Sequence, residues 1–167
     1  MLSVNGSNMQ RILKVVFSLL LAGCLFAQGN RKPNFSGVWQ MVKEKSDFGI
    51  VRMPDRVVRT IDHQGVTINL HTEQTVDGKS RSSDVVYYTD GRDASNVVNG
   101  HEALNHCYWD GGTLVIRTTA TAKGEPALTE ERWTLEPDGK TLTMTSHWKR
   151  AQAEADFKMV LEKAGAK

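Results

Sequence analysis

The clearest alternation of apolar and polar positions flanks the turn Glu136-Pro137-Asp138-Gly139-Lys140. Trp133 and Leu135 before it, with Leu142, Met144 and Trp148 after it, fall on one face, and Arg132, Thr134, Thr143, Thr145 and His147 fall on the other. A period of two sustained on both sides of a turn predicts a hairpin with one buried face. Towards the C-terminus Phe157, Met159 and Leu161 alternate with Lys158, Val160 and Glu162, which predicts a strand over 156–162 after a turn at Ala151 to Ala155. The segments Val57-Val58-Arg59-Thr60-Ile61, Val66-Thr67-Ile68-Asn69-Leu70 and Thr113 to Thr118 are rich in β-branched residues and read as strands. Further strands are expected over 36–43, 81–89 and 101–109. Turn signals separate them at Gln64-Gly65, Asp77-Gly78, Asp90-Gly91, Asn99-Gly100, Asp110-Gly111, Lys123-Gly124 and Asp138-Gly139, because tight hairpin turns need a positive φ that Gly adopts freely. About nine strands in consecutive hairpins follow. Closing the first strand against the last removes the exposed sheet edges, so the expected fold is all-β, a single antiparallel up-and-down β-barrel.

One stretch stands outside this pattern. Arg11 and Lys14 precede a short apolar run from Val15 to Gly23, and polar Gln28 to Lys32 follow it, as in an export signal. The run is shorter than the roughly 20 residues that span a bilayer, so no transmembrane span is expected in the mature protein. The expected layout is a signal peptide over 1–27, a short linker over 28–34, a barrel over 35–163 and a tail over 164–167. Leu21-Ala22-Gly23-Cys24 matches a lipobox and would anchor the protein to the membrane through a lipidated Cys24; cleavage after Ala27 would release it to the periplasm or medium. Leu25 and Phe26 make a poor tether, which favours the released form. Either route leaves Cys107 without an intramolecular partner, since Cys24 and Cys107 are the two cysteines present.

Charge removes one class of function. The net charge of +2 comes wholly from Arg11 and Lys14, and the remainder of the chain is neutral, with acids and bases interspersed. A nucleic-acid binder presents a basic stripe, and none is written here.

Gly37-Val38-Trp39, which opens the first strand, resembles the start of the lipocalin and fatty-acid-binding barrels, the calycins. Trp109-Asp110-Gly111-Gly112-Thr113-Leu114, Trp133-Thr134-Leu135 and Asp138 to Thr143 extend the similarity to a group of small exported bacterial proteins with lipocalin-like barrels. The resemblance implies that Trp39 closes one end of the barrel beneath a basic side chain from the final strands, with Lys158 and Arg150 as candidates. It also implies binding of a small hydrophobic or amphipathic molecule. Trp39, Trp109, Trp133, Trp148 and Met144 are the candidate cavity wall, set against a filled core. Arg59, Arg117 and Arg132 lie within strands, and an inward one would hold a carboxylate as fatty-acid binders do.

Other motifs point to no chemistry. His101 and His106 are five residues apart, which suits neither a helical zinc pair nor one face of a strand, so no metal site is expected. Cys107 and His106 are neighbours on a strand and face opposite ways. No nucleophile elbow, phosphate loop or dinucleotide fingerprint is present, so neither catalysis nor a cofactor is expected. An enzyme reading would need His63, His106 or His147 inside a roomy pocket beside charged groups. The alternative function is a cell-envelope structural or interaction protein with a filled core, acting through the segments 46–55 or 90–99.

Overall fold

Ten strands are built from the residues that the computed structural model describes, 32–98, 100–122 and 124–165. They are β1 (Gly37–Met41), β2 (Arg56–Gln64), β3 (Thr67–Val76), β4 (Lys79–Tyr88), β5 (Asp93–Val98), β6 (His101–Asp110), β7 (Thr113–Ala122), β8 (Glu125–Leu135), β9 (Thr141–Arg150) and β10 (Ala153–Lys163). All neighbours are antiparallel, in the order β4-β3-β2-β1-β10-β9-β8-β7-β6-β5. The first strand pairs with the last, Trp39 opposite Lys163 and Met41 opposite Leu161, as the closure argument requires. Most of the signal-and-linker segment, Cys24 included, lies outside the described residues.

The sequence reading found nine of these strands. It missed β5 because the segment is six residues long and carries Asp93, Ser95 and Asn96 among its few apolar positions. Polar Asn96 nevertheless faces inward, and it completes the barrel. β4 and β5 end the ladder and share no backbone pairing. In place of a ladder, the Asn96 side chain accepts from Val86 N–H at 2.9 Å and donates to Val86 C=O at 2.9 Å. One side-chain amide thus satisfies both backbone groups that an adjacent strand would have paired.

The two ends of the barrel differ. At one end the turns β2–β3, β4–β5, β6–β7 and β8–β9 surround a packed core of Phe35, Trp39, Ile68, Leu114, Ile116, Trp133, Leu142 and Leu161, each almost fully buried. Phe35 seals it from the N-terminal side, stacked on Trp109 at 5.9 Å and His63 at 5.8 Å and edge-on to Trp133 at 5.6 Å. Trp39 Nε1 donates to the Phe35 carbonyl at 2.8 Å, so the indole is buried with its one donor satisfied. The basic side chain over Trp39 is Lys163, its Nζ 5.3 Å from the ring, and neither Lys158 nor Arg150. Lys163 is the cross-strand partner of Trp39, and Gly37 leaves the room it occupies: a Cβ there would lie 2.5 Å from Lys163 Cε.

The other end carries the turns β3–β4, β5–β6, β7–β8 and β9–β10 and the connection between β1 and β2. That connection contains a 3₁₀ turn, Lys43–Lys45. It is tied to β10 by paired backbone bonds between Asp47 and Lys158 and to the β3–β4 turn by an Arg52–Asp77 ion pair. Phe48 stacks on Phe157 at 5.5 Å.

Candidate functional site

The inward positions change character along the strands. In β8 the residues Ala127, Thr129, Glu131 and Trp133 are spaced by two and share the inner face, large near the packed end and small near the open one. The same gradient runs through β7, from Leu114 and Ile116 to Thr118 and Ala120, and through β6, from Trp109 and Cys107 to Asn105 and Ala103. Small side chains on three neighbouring strands leave space, and two adjoining cavities of about 210 and 370 Å³ occupy the open half. The smaller is lined by Arg59, Leu70, Thr72, Gln74 and Arg81 among others, and the larger by Ala103, Asn105, Thr118, Ala120, Ala127 and Trp148 among others. Val85, Tyr87 and Val98 belong to both. Together they fall in the size range of small-molecule sites, and the wall mixes apolar surface with hydroxyls and amides.

A polar tier separates this space from the packed end. Arg59 on β2 reaches across the interior to Glu131 on β8, Nη1 to Oε1 at 3.0 Å. Its guanidinium lies 5.7 Å from the centre of the Trp133 ring and touches Met144 Sδ, and Trp133 Nε1 donates to the same Glu131 oxygen. Arg59 Nε is buried with no hydrogen-bond partner among the described residues. Tyr87 stands edge-on to Trp133 at 5.9 Å; burial, then the Glu131 charge, pushes its phenol well above the ordinary value, so it stays protonated. Asn96 and Asn105 continue the polar thread around the wall, Asn96 Nδ2 to Asn105 Oδ1 and Asn105 Nδ2 to Thr118 Oγ1, both at 2.7 Å.

The structure separates the residues singled out in the sequence. Trp148 lines the larger cavity. Trp39 and Trp133 are filled core, Trp109 closes the packed end against Phe35, and Met144 lies beneath Arg59. Among the three arginines only Arg59 points inward. Arg117 and Arg132 lie on the outer face, paired with Glu130 at 3.0 Å and with Asp110 at 2.5 Å, because each is one residue out of register with an inward neighbour, Ile116 and Trp133. Glu131, Tyr87, Arg81 and Asn96 were missed. Glu131 was legible, since it precedes Trp133 by two and must share its face.

Among the described residues, neither the histidines nor Cys107 assemble a reactive group. His106 and His147 are outward, each directly opposite an aspartate on the next strand, Asp93 at 2.9 Å and Asp156 at 2.8 Å. His63 is inward but lies in the packed end, its Nδ1 accepting from Phe35 N–H at 3.3 Å. Burial pushes the Cys107 thiol up to about 12, away from thiolate chemistry. A further groove of about 380 Å³ lies outside the barrel across β8, β9 and β10, and its Arg132, His147 and Asp156 side chains are engaged in surface ion pairs.

No protein-family model and no curated protein matches the chain. Solved structures do. The zebrafish ileal bile acid-binding protein complexed with cholic acid superposes with a TM-score of 0.54 at 16% identity, over 78% of this chain and 98% of that one. Human cRBP IV gives 0.54 at 16% identity, over 79% and 99%. A secretory abundant heat soluble protein of Ramazzottius varieornatus gives 0.52 at 15% identity, over 77% and 94%. The fold is a lipocalin-like, calycin-type barrel. At these identities the likeness concerns the backbone, and the lipocalin-like barrel seen here keeps a chain-specific interior. Among the described residues no helix is long and apolar enough to cross a membrane.

Proposed function

We propose that this chain is an exported, non-enzymatic binding protein that holds one small hydrophobic or amphipathic molecule in the open half of its barrel. The observation that carries this reading is the pair of adjoining cavities, which share Tyr87, Val85 and Val98 and are walled by Trp148 and three alanines. A barrel that folded only for stability gains from filling that space, as it does at the other end, since each void forfeits dispersion contacts. The solved structures of like fold include proteins whose names speak of bile acid and of fatty acid, which agrees with a small-molecule role. Trp148 supplies the test. Titration across lipophilic probes, from fatty acids to isoprenoids and haem, is expected to find at least one that changes tryptophan emission in the parent protein and in Trp133→Phe and leaves it nearly unchanged in Trp148→Phe. An unchanged spectrum in the parent protein across all probes would favour a barrel without a ligand.

Export is part of the same proposal. Intact mass of the mature protein is expected to match a chain that starts at Gln28 without lipid. A product that starts at Cys24 and stays with membranes through high salt would instead show anchoring by acyl chains.

The alternative, an interaction protein of the cell envelope, has its own observation. Leu104 and Leu128 are about half exposed on the outer face of β6 and β8, and Val97 on β5 is more so. Across the ladder Leu104 faces Thr119, which faces Leu128, so the two leucines share one row. Partner capture that survives filling of the cavity but is lost in Leu104→Ser with Leu128→Ser would favour that reading.

A further inference from the structure

We propose that the end of the ligand that reaches the polar tier is uncharged, an alcohol, carbonyl or ether oxygen, and that a free carboxylate is rejected there. This rests on the reading of the open half as a binding cavity. The inward arginine suggests a carboxylate clamp, yet its charge is already cancelled. Arg59 and Glu131 are 16% and 17% exposed and 3.0 Å apart, and Trp133 and Met144 hold the guanidinium and the carboxylate in that arrangement. A carboxylate brought to Arg59 also enters the field of Glu131, whose oxygen lies 3.0 Å from Nη1. Its attraction to one group is offset by repulsion from the other, while the cost of removing it from water remains.

Among the described residues no second buried cation lines the cavities to change this balance. Among the described residues lining the two cavities, Arg81 and His101 are the other groups that take a positive charge, and both are exposed at the mouth. The rest of the lining is neutral: Thr72, Gln74, Ser83, Asn105, Thr118 and Thr129 provide hydroxyls and amides. A neutral oxygen at the tier gains donors without adding charge. Arg59 Nε is buried and unpartnered among the described residues, and Tyr87, its phenol protonated, lines the same cavity. Leaving such a donor unmet is costly, whereas meeting it with an uncharged acceptor keeps the pair intact.

The experiment compares lauryl alcohol with laurate, two probes of equal chain length, by calorimetric titration near neutral pH. The parent protein is expected to bind the alcohol at least about tenfold more tightly. Glu131→Gln removes the cancelling charge without changing shape, so laurate affinity is expected to rise by at least about tenfold while the alcohol changes little. Laurate binding to the parent protein as tightly as the alcohol would overturn the inference, and so would an alcohol-to-laurate ratio that Glu131→Gln leaves unaltered. The comparison in the parent protein decides the matter even if the variant folds poorly. Absence of binding by both probes, in both proteins, would remove the binding reading itself, whereas tight binding of both with no preference removes only this inference.

Discussion

Single residues decide which half of this barrel is solid. Glu131 and Trp133 share a face by the rule of two, and together with Arg59 they form the floor of the open space. His63 belongs to the packed half, and its neutral form is built into the seal, because Nδ1 must keep a lone pair to accept from Phe35 N–H. Burial holds its imidazole below the ordinary 6.5, only partly opposed by a backbone hydrogen bond and Asp62. The unfolded chain then binds the proton more readily than the folded one, so the His63 contribution is fully present above about pH 6.5 and is lost as pH falls through the lowered value. His71 has the opposite sign. A hydrogen bond donated by its Nδ1–H to the Asp84 carboxylate raises it above 6.5, so its contribution is present below that value and is lost as pH rises through the raised one. The His71–Asp84 pair is exposed and screened by solvent, so buried His63 sets the net sign: melting temperature is expected to drop between about pH 7.5 and about pH 5, and His63→Gln to flatten that drop. Thermal melts at both values check this, and a drop of unchanged size in the variant would assign the acid sensitivity elsewhere. The positions of Arg132 and Glu131 were legible from alternation with Trp133. The pairing of Arg59 with Glu131, two strands far apart in the chain, was not, because one sequence carries no record of which inward residues meet.

At the scale of elements, turn chemistry and β-branched runs made nine strands readable, and the pairing of first with last followed from edge closure. β5 was hidden by its composition, since half of its positions are polar and one of those, Asn96, faces inward. The structure supplies the reason for that polar residue. It stands where a ladder is missing and pairs with both backbone groups of Val86. Asn96→Ala leaves a backbone N–H, a backbone C=O and the Asn105 amide short of partners, so a loss of about 2–4 kcal/mol is expected. Amide exchange at Val86 is expected to speed up in step. Denaturant melts combined with hydrogen exchange measure both, and a variant of unchanged stability with slow exchange at Val86 would show that the seam is held by other contacts. The covering lysine over Trp39 was misplaced for a similar reason. The resemblance implied a basic residue from the last strands, and register chose Lys163, directly opposite Trp39.

The whole molecule is half core and half container. Phe35, the buried tryptophans and a belt of leucine and isoleucine carry the packed end, and the polar tier of Arg59, Glu131 and Tyr87 marks where packing stops. Beyond it the side chains shrink to alanine, serine and threonine, and the barrel encloses space that its own residues do not fill. Fold and closure were within reach of the sequence, whereas the existence of a cavity was not, because it depends on how small inward residues from β6, β7 and β8 line up in register. Ala120 lies on the wall of the larger space, opposite Ala103 on one side and Ala127 on the other. Saturation of a lipophilic fluorescent probe in the parent protein and in Ala120→Phe tests the central claim most directly. Saturable binding at a single site is predicted, weakened by at least about tenfold in the variant, with a melting temperature kept or raised because the ring fills empty volume. Equal affinity in the two proteins, or no saturable binding in either, would contradict it.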